Sequence, residues 1–143
     1  MEYVKIVTVE SAIEKYNDFM QTMTSPFQRN KSDTFSWNHI QFAKQFPDIY
    51  KLLFLSEQKQ ECISQVDMVG ARAYIISAIK DDEKVCDEVA TKLFLNMWAF
   101  THGIATLIVM KTVELADEQI NQMLADVTGG LLKEYDTASK GGL

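Results

Sequence analysis

Proline and glycine are scarce, with two and six residues in a chain of 143. That scarcity excludes collagen-like and low-complexity chains, and it predicts helices joined by short connections. Cysteine is nearly absent too. The two thiols, Cys62 and Cys86, form no CxxC pair and are too few for a disulfide framework, so two partly buried thiols are expected. Positive charge is in deficit, with 14 Lys and Arg against 20 Asp and Glu and a net charge of −6. Surfaces that neutralise phosphates need the opposite balance, so the chain is poorly suited to direct contact with DNA. The two histidines, His39 and His102, have no cysteine or paired carboxylate at ligand spacing, so no metal and no cofactor is expected. No GxSxG, P-loop, GxGxxG or HExxH pattern occurs. No nucleophile and base come together at helical spacing either, and an enzyme is not expected.

What is present is an apolar content of 47% in a length that fits one domain spanning residues 1–143. A chain of this size buries a sizeable core unaided. Val9, Ile13, Tyr16, Met20 and Met23 recur at helical spacing, and Ser11 and Glu14 have the spacing of a capping box, which predicts a helix over 9–24. A second helix is expected over 33–46, with Phe35, Phe42 and Phe46 on one stripe and His39 beside them. Pro47 starts a short third helix carrying Tyr50, Leu53 and Phe54. Ser56 is the expected N-cap of a fourth helix reaching Ile79, with Cys62, Ile63, Val66, Val69, Gly70, Ala73 and Tyr74 facing inward.

Asp81 and Asp82 open the expected fifth helix, over 82–111, and a sixth follows over 117–136. Ser139 to Leu143 reads as a frayed tail. No segment alternates with period two for long enough to be a strand. The fold class is therefore all-α, a bundle of about six helices. The fifth helix is apolar on more than one side and is expected to be buried all round, by its own neighbours or by a second subunit. Leu93 to Met110 contains Asn96, Thr101, His102, Gly103 and Thr106, which favours a buried helix over a membrane span. Met1 to Ile6 lacks the features of a signal peptide, so a cytoplasmic protein is expected.

Two patterns then stand out. Phe42-Ala43, Pro47, Tyr50 and Phe54 form FAxxxPxxYxxxF, and Trp98, His102 and Gly103 form WxxxHG inside the long apolar helix. Together, over roughly residues 33 to 137, they resemble the C-terminal domain of tetracycline-repressor-type (TetR-type) transcriptional regulators, in the subgroup marked by its Trp and His-Gly. His39 stands where that subgroup usually has a Tyr. The resemblance implies an effector-binding and dimerisation domain that reaches DNA only through a helix-turn-helix headpiece. No basic two-helix segment precedes the first helix here, so the headpiece is expected to be absent from this chain. A stand-alone acidic helical module that dimerises and binds a protein partner is the alternative.

The inward stripes of helices two, four and five place the expected effector site at Phe35, His39, Phe42, Cys62, Val66, Tyr74, Phe94, Trp98 and His102. Such a lining favours a small, largely apolar ligand. Trp98 and His102, four apart, read either as a pocket wall with a polar handle or as a core pair bonded to a neighbouring carbonyl. His39 has the same two readings. Cys62 reads as an inert core thiol and Arg72 as a solvated helix-edge cation. The expected two-fold dimer contact uses Asn96, Ala99, Gly103 and Thr106 on the fifth helix and Ile120, Leu124, Val127 and Leu131 on the sixth. Gly129 and Gly130 inside the sixth helix imply close packing or a local break.

Overall fold

The computed structural model describes residues 8–22, 31–56 and 68–141. Helix α1 spans Val9–Thr22, α2 Lys31–Gln45, α3 Pro47–Tyr50, α4 Met68–Glu83, α5 Asp87–Val109 and α6 Asp117–Gly141. A π-helical segment, Lys51–Leu55, continues α3 without a break. No strand occurs among the described residues, and the fold is an all-α helical bundle.

Local chemistry accounts for the element ends. Thr8 caps α1: its hydroxyl accepts from the Ser11 amide at 3.1 Å, and its carbonyl accepts from the Ala12 amide at 3.0 Å. Thr8 thus takes the role expected of the Ser11–Glu14 box, because its side chain sits where the first free amides point. Pro47 occupies the first turn of α3, where a missing N–H costs nothing. The expected fifth-helix start is corrected. Asp81 and Asp82 close α4; Lys84 turns the chain in the left-handed region at φ 55°, and Asp87 and Glu88 supply the acidic first turn of α5. A Lys80–Asp87 ion pair of 2.6 Å spans that turn. At its far end α5 closes with Lys111 at φ 58°, the Lys111 amide on Ile108 O and the Thr112 amide on Leu107 O, both at 3.0 Å. This pair of bonds is a Schellman cap.

Two apolar clusters build the core. One joins Ala12, Ile13 and Tyr16 of α1 with Phe42, Tyr50, Leu53, Phe54 and the α5 end at Ala105 and Val109. The other joins Trp37 and Ile40 of α2 with Ile75, Ile79, Leu93, Phe94, Met97, Ile104, Ile120 and Leu124. Trp98 packs against both.

The helix wrapped all round is α2, not α5. Every residue from Ser36 to Ala43 is buried. By contrast α5 keeps one side open, with Leu95, Leu107 and Met110 exposed by 50%, 43% and 59%. By length and hydropathy α5 could also cross a bilayer; in this fold its Leu93, Phe94, Met97 and Ile104 lie in the second cluster.

Helix α6 runs to Gly141, past the expected fraying point. It passes through Gly129 and Gly130 unbroken, and an added Cβ at either would meet nothing within 4 Å. The glycine pair therefore marks neither a break nor a close approach within the chain.

Candidate functional site

The two sequence patterns meet in space. Tyr50 from FAxxxPxxYxxxF and His102 from WxxxHG share a hydrogen bond, Tyr50 hydroxyl to His102 Nδ1, of 2.8 Å. On its other side the same hydroxyl lies 3.1 Å from His39 Nε2, and His39 Nδ1 lies 2.8 Å from the Tyr16 hydroxyl. Four helices thus contribute one side chain each to a continuous buried polar chain.

Burial decides its protonation. It pushes the Tyr16 and Tyr50 hydroxyls well above the ordinary phenol range, for Tyr50 against the opposing pull of a hydrogen bond with Thr106. For His39, burial and then the neighbouring His102 lower the pKa to about 3. All three groups are therefore neutral at pH 7. A neutral Tyr16 has its proton to donate, and His39 Nδ1 is the acceptor. His39 then carries its hydrogen on Nε2 and donates to Tyr50 oxygen, leaving the Tyr50 hydroxyl to donate to His102 Nδ1. One direction of donation satisfies every bond in the chain.

Aromatic rings enclose this chain. The His39 ring centroid lies 5.0 Å from those of Trp98 and Phe54, 5.2 Å from Tyr50 and 6.0 Å from His102. His102 stacks on Trp98 at 5.7 Å. Its Nδ1 bonds a tyrosine hydroxyl rather than the backbone carbonyl considered from sequence. No group of three or more His, Cys, Asp or Glu that could hold a metal occurs among the described residues.

Trp98, which contacts both imidazoles of this cluster, also lines a cavity. Its walls are Asp33, Phe35 and Ser36 of α2, with Ile75, Ile79 and Glu83 of α4. Leu93, Phe94, Met97 and Trp98 of α5 and Thr128 of α6 complete it. It encloses about 20 Å³, room for roughly one water.

Of the residues expected to line an effector site, Phe35, Phe94 and Trp98 do so. His39 and Phe42 are buried but are not among the cavity's lining residues, and His102 packs against Trp98 without lining the cavity. Tyr74 is corrected: it is 60% exposed, and Ala73 is exposed with it. The inward phase of α4 is instead set by Ile75, Ala78 and Ile79. Cys62 and Val66 lie outside the described residues. Cys86, expected to be partly buried, is exposed at the start of α5. Arg72 is exposed but not simply solvated, since its guanidinium lies 5.8 Å above the Phe94 ring centroid.

The residues expected at a dimer contact divide. Asn96, Ala99 and Gly103 are exposed, and Thr106 is half-buried. Ile120 and Leu124 have no exposed surface, and Val127 and Leu131 pack on the same internal cluster, so the α6 stripe is used inside the chain. Asn96 donates to the Tyr135 hydroxyl at 2.6 Å, tying the open side of α5 to α6.

Sequence reasoning missed Tyr16 and Tyr50 as polar partners of the histidines and Ile75 and Ile79 as cavity walls. The i, i+4 spacing of Ile75 and Ile79 was the available signal. Comparisons with protein-family models, with curated proteins and with solved structures returned no match.

Proposed function

We propose that this chain is the effector-binding and dimerisation domain of a TetR-type transcriptional regulator. On this reading it senses a small, largely apolar ligand in the cytoplasm and modulates DNA binding by a headpiece outside these residues. The observation that carries the reading is the Tyr50–His102 hydrogen bond, which joins the two halves of the resemblance in one cluster walled by Trp98. Trp98 also faces the apolar cavity between α2, α4 and α5. That cavity encloses about 20 Å³, so on this reading it is closed to an effector. An effector must part α4 from α2 and α5 to enter, and two packings of one element are what a population shift requires.

The open side of α5, with Leu95, Leu107 and Met110 around Gly103, supports a symmetric contact between two copies. The same side favours the alternative of a stand-alone acidic module, since it needs cover whether or not a ligand binds. Native mass spectrometry of freshly purified protein tests the leading reading, with a dimer retaining a small molecule as the expected result. Trp98→Ala should abolish that retention while the dimer persists. A ligand-free dimer that keeps its melting temperature across an apolar compound panel would favour the alternative.

A further inference from the structure

The cavity between α2, α4 and α5 is apolar in its body and acidic in its charged groups. Among the described residues its walls include two carboxylates, Asp33 and Glu83, and no Lys, Arg or His. The two carboxylates come from different helices, Asp33 from the first turn of α2 and Glu83 from the last residue of α4. Both also take part in other polar contacts, so neither is a loose surface side chain. The rings of Phe35, Phe94 and Trp98 line the same cavity. One of these rings already carries a cation, the Arg72 guanidinium 5.8 Å from the Phe94 centroid. Arg72 is exposed and outside the cavity wall, so an incoming cation can take its place over the ring and release it to water.

We infer that the ligand of this cavity is an amphipathic cation, a protonated amine or quaternary ammonium on an apolar body. The inference rests on the reading of the cavity as an effector site and adds the sign of the ligand's charge. Once α4 has moved aside to admit it, an apolar body would lie among Ile75, Ile79, Leu93 and Met97, where a polar one would leave its hydrogen-bonding groups unpaired. A cationic head gains from the faces of the rings and from both carboxylates. An anionic head meets two like charges in the described wall, Asp33 and Glu83. The chain's net charge of −6 adds to the same preference at long range.

The test uses three probes with one apolar body and different charge: para-tert-butylbenzylamine, para-tert-butylbenzyl alcohol and para-tert-butylbenzoate. Binding is read by intrinsic tryptophan fluorescence and thermal shift at pH 7. The amine should bind about tenfold more tightly than the alcohol, with the benzoate weakest. Amine and alcohol binding equally, or the benzoate binding best, would overturn the inference while leaving an apolar effector site standing. No binding by any of the three would overturn both.

The double variant Asp33→Asn/Glu83→Gln should lose the amine's advantage and keep the alcohol's affinity. Retention of the full preference in a folded double variant would also overturn the inference. If the variant does not fold by circular dichroism, the three-probe comparison on the unaltered chain decides alone.

Discussion

The hydroxyl of Tyr50 lies 2.8 Å from Nδ1 of His102, so residues 52 positions apart share one proton donor. The bond ties the short α3 to the middle of α5, and His39 on α2 approaches the same oxygen from the other side at 3.1 Å. Because Tyr50 both accepts and donates, it is the only member of the chain whose removal separates the two imidazoles from each other.

Tyr50→Phe removes that hydroxyl and keeps the ring packing on Phe54, whose centroid is 4.8 Å away. His39 then keeps a buried Nε2–H without an acceptor. The expected loss is about 1–3 kcal/mol, the range for an orphaned buried polar group. Urea unfolding should show a lower midpoint at unchanged slope. A loss below about 0.5 kcal/mol would mean that the hydroxyl is dispensable to the cluster.

The pH dependence follows from His39, whose pKa falls from 6.5 to about 3 on folding. Between those values the unfolded chain binds a proton that the folded chain refuses. Stability therefore rises with pH in that window, is complete above about 6.5 and is lost progressively as pH falls toward 3. Denaturation midpoints at pH 7.5, 6.5 and 5.5 should be level for the first pair and lower for the last, a drop that His39→Gln should reduce. An NMR titration in which the His39 ring gains its proton near pH 6.5 would contradict the assignment.

The helical class and the two sequence patterns were legible because they depend on spacing along the chain. The identity of the central helix was not. From Ser36 to Gln41, α2 reads as half polar, yet it is the most enclosed element because its polar groups find distant partners. Asn38 donates to Met20 O, Gln41 to Asp117, and Lys44 to both Leu115 O and Asp117. Hydropathy counts such residues as solvent-facing because it cannot see a hydrogen bond closed across 76 positions. On α5 the apolar content says that every side needs cover, and the side of Asn96, Ala99 and Gly103, for which a second subunit is expected, is exposed in the single chain. Tyr74 is expected on the inward stripe with Ala73, but the buried phase of α4 runs through Ile75, Ala78 and Ile79, one position further round the helix.

Association and stability should respond to Gly103→Leu with opposite signs. Nothing lies within 4 Å of a Cβ added at Gly103, and its φ is not positive, so the side chain fits the single chain. Replacing glycine in a helix interior should stabilise the monomer by up to about 1 kcal/mol. In a two-fold contact through the open side of α5, the same side chain meets its own copy and holds the helices apart. Sedimentation at micromolar concentration should show a dimer for the unaltered chain and a shift toward monomer for the variant. A monomer in both cases would remove the dimer from the proposal.

The chain also holds glycine where a helix does not need it and lacks glycine where the backbone does. Gly129 and Gly130 sit exposed inside α6 with open space at their Cβ positions. Lys84 and Lys111 end α4 and α5 at φ 55° and 58°, the left-handed region that penalises any side chain. At Lys111 the surrounding Schellman bonds fix that conformation, so the residue cannot relax away from it. Lys111→Gly should therefore stabilise the fold by roughly 1 kcal/mol, since C′ of such a cap is where glycine is favoured. Gly129→Ala should add a gain of similar size through helix propensity. The sites lie on different elements, and a Cβ at Gly129 meets nothing within 4 Å, so the two gains should sum in the double variant. Thermal unfolding of the three variants against the unaltered chain measures this directly. A loss of stability from Gly129→Ala alone would show that the outer face of α6 is covered in the assembled protein, because the single chain offers nothing for the new methyl to strike.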